Sequence, residues 1–218
     1  MNQKQILFLT LGLIVLFGGL FGIYSLLGAG PDDTSIAKIK NEKPVGRTMW
    51  NREGASHTLT VFSDFQCPAC KIFHEYLMGF EASASPNLNI TKKTAFVFRY
   101  FPLYQIHEHA FALAYAAEAA AAQGKFEKIT KRFFADQTKL EGVKDINSYL
   151  AGVAKDIGLD EKKFNTDRNN KSLQDVIQND LSLGEKLGVN STPTFFLDGE
   201  KLESVAPADV LKVLKELK

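Results

Sequence analysis

A chain of 218 residues with a formal net charge of +1 is long enough for one domain with a full core and an appendage, and too evenly charged to offer nucleic acid a basic surface. Residues 1–45 hold four of the 26 Lys/Arg and three of the 25 Asp/Glu, so the remainder carries equal numbers of each sign. Both cysteines lie in one Cys-x-x-Cys, which excludes a framework of structural disulfides.

Residues 6–27 carry no charge and reach the ~20 apolar positions that a membrane-spanning helix needs. A cleaved secretory signal has an apolar core of about 7–15 residues, and Gly28-Ala29-Gly30 makes a poor cleavage site. Residues 1–27 therefore read as an uncleaved transmembrane anchor. Lys4 lies in front of it and Lys38, Lys40 and Lys43 behind, a count that by itself favours the opposite orientation, so the thiol pair decides it. A lone Cys-x-x-Cys behind an export-type segment fits the outside of the cytoplasm. The expectation is a single-pass protein of the cell membrane with its domain on the extracytoplasmic, periplasmic side. Residues 28–45 mix Gly, Pro, Asp, Lys and Asn and read as a tether.

Residues 59–63, rich in β-branched and aromatic types, predict a strand. Beyond the cysteines, Ile72, Phe73, Tyr76, Leu77 and Phe80 recur at helical spacing to about Ser83, where Ser85-Pro86-Asn87 breaks the run. Residues 92–100 predict a second buried strand around Phe96, Val97 and Phe98. From 107 to 187 the pattern is helical. It holds an alanine-dense helix closed by Gly124, a short run over 125–134, a helix capped by Asp145 and closed by Gly158, and a last one ending at Gly188 with Asp180 a polar exception on its apolar stripe. Residues 195–197 predict a strand, Asp198-Gly199 a hairpin turn, and Pro207 the start of a terminal helix through Leu217.

The Cys-x-x-Cys thus falls where a strand turns into a helix, with Pro68 suited to the first turn. Unpaired backbone N–H groups and the positive end of the helix dipole there favour the thiolate of Cys67, the form that attacks disulfides. Pro68-Ala69 brings no side-chain donor, unlike a His in that place, so helix amides are expected to supply most of the stabilisation and the pair to be a less extreme oxidant than a Cys-Pro-His-Cys.

The order β-α-β, a helical block, then β-β-α resembles the thioredoxin fold with an inserted helical domain, and the chain is similar to the DsbA-like thiol–disulfide oxidoreductases. Three stretches carry the likeness: Phe62-Ser63-Asp64-Phe65-Gln66-Cys67-Pro68-Ala69-Cys70; Phe98-Arg99-Tyr100-Phe101-Pro102-Leu103 with His107 and the alanine helix; and Gly188-Val189-Asn190-Ser191-Thr192-Pro193-Thr194-Phe195. It implies a thioredoxin domain over 46–104 and 188–218 with the helical insertion at 105–187. It implies Cys67 as the attacking thiol, Cys70 as its buried partner, and Pro193 as a cis-proline facing them. The backbone of Thr192 would then pair with an extended substrate. The redox element would be the Cys67–Cys70 disulfide, with no other cofactor. Partners would be exported proteins with free thiols and a membrane redox protein that recycles the pair, the chain itself acting as a monomer. Many relatives carry a buried acid six residues before the first cysteine, where this chain has Val61; Asp64 is the nearest alternative for proton handling.

Other readings remain open at this point. An isomerase or reductase kept reduced by a membrane donor would use the same pair, and a tethered peptide-binding chaperone would not need it. Zinc wants four ligands, and beyond the thiols the histidines are scattered, with His74 one turn past Cys70. A copper module is slightly better placed, since Cu(I) accepts two thiolates. His107 and His109 read as capping or packing residues, His57 as a loop residue, and Arg99 as a partner for Asp180 or a snorkelling side chain.

Overall fold

The computed structural model describes residues 19, 39, 47–50, 54–82 and 93–217. Strands β1 (Thr48–Trp50), β2 (His57–Ser63) and β3 (Thr94–Tyr100) flank helix α1 (Pro68–Ala82). Six helices follow: α2 (Ala110–Ala121), α3 (Phe126–Ala135), α4 (Gln137–Leu140), α5 (Ile146–Asp156), α6 (Glu161–Arg168) and α7 (Lys171–Lys186). Strands β4 (Thr194–Leu197) and β5 (Glu200–Lys201) and helix α8 (Pro207–Glu216) close the chain.

The sheet order is β1-β3-β2-β4-β5, with β2 parallel to β3 and every other pairing antiparallel. Central β2 is covered on both faces, which is why it reads as a near-continuous apolar run. Leu59 and Val61 enter one core cluster, with α1, α2 and α3, while Phe62 enters another with Phe101, Leu183, Leu187 and Phe196. This two-residue period splits β4 likewise, Phe195 to the first cluster and Phe196 to the second. The arrangement is the thioredoxin fold with a helical insertion that the resemblance implies.

Alanine sets the geometry of the insertion. Ala110, Ala114, Ala116, Ala117, Ala119 and Ala120 are buried on α2, which lets α3, α6 and α7 pack close to its axis. A second close approach occurs at Gly184 on α7. A methyl group there would stand 2.7 Å from Phe101 Cδ2 and 3.1 Å from Phe62 Cδ1. Gly184→Ala is therefore expected to lose about 1–3 kcal/mol of stability through overpacking. Gly152→Ala, inside α5 with nothing within 4 Å of the new methyl, is expected to gain up to ~1 kcal/mol. Chemical unfolding of the two variants checks the contrast, and midpoints moving in the same direction would refute it.

Predicted punctuation is found where it is local. Asp145 accepts from the amides of Asn147 and Ser148 at 3.0 and 3.1 Å and so caps α5. Asp198 and Gly199 turn β4 into β5 with φ of 51° and 89°, as a type I′ hairpin requires. Elsewhere the expectations need correction. His57 opens β2 instead of lying in a loop, and its Nδ1 pairs with Asp198 Oδ2 at 2.7 Å. A further strand, β1, precedes it and pairs with β3.

The expected N-terminal transmembrane helix is overturned. Among the described residues no helix is long and apolar enough to cross a membrane. The longest, α7, has 16 residues and is amphipathic, short of the ~20 apolar positions a span needs. Residues 6–27, apart from Gly19, lie outside the described residues, as does the 28–45 tether apart from Ile39, which is buried in the second cluster. The expectations resting on that helix lose their support with it: a cell-membrane, single-pass placement with an extracytoplasmic domain, attachment to the membrane, and a membrane redox partner.

Candidate active site

Beyond Ser63 the chain leaves the sheet and turns through Asp64-Phe65-Gln66 before α1 begins at Pro68. Buried carbon and buried polar groups both hold that turn. Phe65 stacks on Phe98 at 5.1 Å and meets Phe133 edge-on at 5.2 Å. Asp64 is buried, and its carboxylate accepts from the amides of Gln66 at 2.7 Å and Leu103 at 2.6 Å, with His107 Nδ1 at 3.1 Å. Gln137, reaching in from α4, donates to the carbonyl oxygens of Phe65 at 2.9 Å and Cys67 at 3.0 Å. The insertion therefore fixes the backbone of the reactive turn. Gln66 ties the same turn to α2 by accepting from the His109 amide at 2.8 Å.

Cys67 and Cys70 are free thiols. Cys70 is 2 % exposed and faces the core, while Cys67, 7 % exposed, lines a cavity of about 590 Å³. The Cys67 thiol donates to the carbonyl oxygen of Thr192 at 3.2 Å, and the Thr192–Pro193 peptide is cis. Pro68, Leu103, His107, Leu181 and Thr192 also line the cavity. Its rim carries two exposed apolar side chains, Tyr104 and Ile106.

The two sulfurs are pushed in opposite directions. A hydrogen bond from the Cys70 thiol, opposed by burial and helped by Thr192 and the amides of Cys70 and Ala69, lowers Cys67 to about 6. Burial, with the neighbouring Cys67, holds the Cys70 thiol well above the ordinary range. The first sulfur is the thiolate and the second its proton-bearing partner. The helix amides contribute, but the expected order is reversed: the partner thiol contributes most, because its donor is a side chain pointed at the sulfur.

The structure thus brings Cys67, Cys70, Pro68, Ala69, Asp64 and Thr192-Pro193 to one place. Asp64 stands under the turn, held by two amides with His107 beside it, as a buried anchor of the loop. His107 lies against it and on the cavity, while His109 caps nothing with its ring and pairs through Nε2 with the Val143 carbonyl at 2.8 Å. His74 is buried against Phe134 at 4.7 Å, and burial, with Lys131 adding to it, lowers it to about 4, leaving it neutral. Among the described residues no group of three or more His, Cys, Asp or Glu stands together as a metal site. Gln137 was not foreseen. Its partners lie 70 and 72 positions away, and a lone Gln in a helical stretch carries no signal of such a role.

The family model described as Thioredoxin matches residues 47–216. Among solved structures, a thioredoxin-like oxidoreductase from Silicibacter pomeroyi superposes with a TM-score of 0.60 at 24% identity, covering 84% of this chain and 95% of that one. Wolbachia pipientis alpha-DsbA1 gives 0.62 at 22%, covering 78% and 90%. MdbA, a thiol-disulfide oxidoreductase from Corynebacterium diphtheriae, gives 0.61 at 19%, covering 84% and 100%. Likeness at these identities speaks for the fold. Among curated proteins, the Na(+)/H(+) antiporter NhaA 1 of Mycobacterium sp. (strain KMS) is 30% identical over 190 residues, which are 86% of this chain and 29% of the antiporter. The chain spans under a third of that relative's length. By the family match over residues 47–216, with its thiol pair at the head of α1, the chain belongs to the thioredoxin family.

Proposed function

We propose that the chain works as a net oxidant, passing its Cys67–Cys70 disulfide to folding polypeptides that carry free thiols. A client thiolate attacks Cys67 Sγ, and the Cys67–Cys70 bond breaks. Cys70 leaves with the electron pair and takes up a proton, since burial favours its thiol. A second client thiolate then attacks the client sulfur of the mixed disulfide, and Cys67 leaves as a thiolate. The client loses two electrons and the enzyme gains them. Reoxidation requires a disulfide oxidant such as glutathione disulfide.

The observation that carries this reading is the hydrogen-bonded Cys67 sulfur held at about 6 beside a thiol held high. A stabilised thiolate is a good leaving group, which drives the second step toward the reduced enzyme. Thr192 is proposed to seat the client. Its carbonyl oxygen lies 3.2 Å from Cys67 Sγ, where the backbone amide of a client whose thiolate attacks that sulfur can donate to it.

The test mixes the oxidised protein, at equal concentration, with a reduced unfolded peptide bearing two cysteines, and traps thiols by alkylation. The expected result is a disulfide in the peptide and a dithiol in the enzyme, abolished in Cys67→Ser. An enzyme that ends oxidised while the peptide stays reduced would overturn the oxidant reading in favour of a reductase.

A further inference from the structure

The cavity beside Cys67 does not end at Tyr104. The Tyr104 ring lies 5.3 Å from Phe111, and Phe111 stacks on Tyr115 at 5.8 Å, so a line of three aromatic rings leaves the cavity along α2. Phe111 and Tyr115 are half-buried and packed against the core. At the far end of the line a second cavity, of about 250 Å³, is lined by Ala112, Tyr115, Arg168, Asn169 and Gln174.

Helix α7 forms the other bank. Leu181 and Glu185 line the cavity at Cys67, and Gln174 lines the remote one. Between them Gln178 donates from Nε2 to the Tyr115 hydroxyl at 3.4 Å. Positions 174, 178, 181 and 185 fall on one face of a helix, so one face of α7 borders both cavities and the trough along its seam with α2 between them. Its aromatic floor and amide-rich wall suit an extended polypeptide, whose side chains are read by the rings and whose backbone can meet the glutamines.

We propose that the remote cavity at Ala112, Tyr115 and Arg168 is a second client subsite, which takes a large apolar or aromatic side chain of the same polypeptide whose cysteine sits at Cys67. This rests on the client-oxidation reading above and extends it to substrate selection. Continuity with the reactive cavity identifies the occupant, because a chain seated at Thr192 has this trough as its apolar way out. The two ring-to-ring steps are together spanned by about three residues of extended chain. The subsite therefore selects clients by an aromatic placed about three residues beyond those that fill the first cavity.

The experiment uses the oxidised full chain and nested reduced peptides that share one cysteine pair. A short one fills the first cavity, longer ones add one to five residues, and each long peptide is made with Phe or Ser at the end. Dithiothreitol serves as a small substrate. The expected result is a rise in kcat/KM of about fivefold, the scale of one aromatic contact, when Phe sits about three residues out, carried by KM with kcat unchanged. The long-to-short ratio should fall to near one in Tyr115→Ala and persist in Tyr115→Phe. Because each ratio is taken within one variant, a partly unfolded preparation does not imitate the effect. A ratio near one in the wild-type chain, or a rise that survives Tyr115→Ala, would overturn the subsite while leaving client oxidation standing. Failure to oxidise any peptide while dithiothreitol still reacts would remove the client reading and the subsite together. Self-association of the chain that Tyr115→Ala abolishes would assign the trough to a second copy and overturn the proposal.

Discussion

Asp180→Asn is expected to destabilise the chain by about 3–5 kcal/mol, the loss seen when one member of a buried ion pair is removed and the other stays charged. For a chain of this size that corresponds to roughly 6–20 °C in Tm. Asp180 lies on α7, buried, and its carboxylate pairs with Arg47 on one oxygen and with Arg99 Nη1 at 2.7 Å on the other. It also accepts from the amide of Tyr100 at 3.1 Å. Arg47 lies over the Tyr100 ring at 5.2 Å, with Glu118 of α2 3.5 Å from its Nε, and the Tyr100 hydroxyl donates to Glu118 at 3.0 Å. Two buried guanidiniums therefore face two carboxylates, and the neutral amide would leave one positive charge uncompensated in a buried site of low dielectric.

The same network joins the helical insertion to the sheet, since α2 and α7 supply the acids while β3 and the residue before β1 supply the bases. Loss of Asp180 should consequently loosen the trough between α2 and α7 as well as lower stability. Urea unfolding followed by circular dichroism checks the energy. A loss below ~1 kcal/mol would show that the pair is solvated and the network ornamental. Glu118→Gln is expected to lose less, because burial already raises the Glu118 carboxyl, against Arg47 and the Tyr100 hydroxyl that lower it. Removing its charge therefore changes less.

How much of this was legible depended on sequence distance. The strand-to-helix turn at Cys67, the Asp145 cap and the Asp198-Gly199 hairpin follow from neighbours within four positions, and residue type alone carries them. Asp180 announced itself as a polar residue on an apolar stripe, yet its partners were only half readable. Arg99 was named among its options, while Arg47, 133 positions away, was not. Short strands fail for a related reason. Thr48–Trp50 is three residues long and is a strand only because β3 lies beside it. His57 reads as a loop residue until Asp198, 141 positions on, is brought to it by the β4–β5 turn.

The site divides in the same way. The thiols and the helix start are local, but Thr192 and Pro193 were placed by family resemblance, since no periodicity links position 192 to position 67. Helix α6 was legible only as part of a helical stretch, because two of its residues, Phe164 and Asp167, are buried and its apolar stripe is one side chain wide. The apolar run at residues 6–27 is the reverse case. Hydropathy there was the strongest signal in the chain, and the described helices offer nothing to match it.

Alkylation of reduced Cys67 is expected to follow a midpoint near pH 6, well under the ~8.5 of a free thiol. The leading cause is the Cys70 thiol, so Cys70→Ala should move the midpoint up toward the ordinary thiol value, whereas Cys70→Ser, which keeps a donor, should retain part of the shift. Burial opposes the thiolate and remains in both variants, while Thr192 and the amides of residues 69 and 70, which also remain, each contribute less than the lost hydrogen bond.

A thiol lowered by folding contributes stability to the reduced protein that is fully present above the unfolded value near 8.5 and is lost as pH falls through about 6. The disulfide form has no such group, so the contribution belongs to the reduced state alone. Between pH 6 and about 8.5, reduction of the pair by glutathione produces a Cys67 thiolate, a Cys70 thiol and one free proton. The equilibrium should therefore shift toward the reduced enzyme about tenfold per unit of pH, and flatten below 6 where Cys67 keeps its proton. Glutathione titrations at pH 5, 6, 7 and 8 read this directly. A flat equilibrium between pH 6 and 8 would mean that Cys67 is not held as a thiolate, and the account of it as a leaving group would fail; a Cys70→Ala midpoint left near 6 would mean that the partner thiol does not hold the charge.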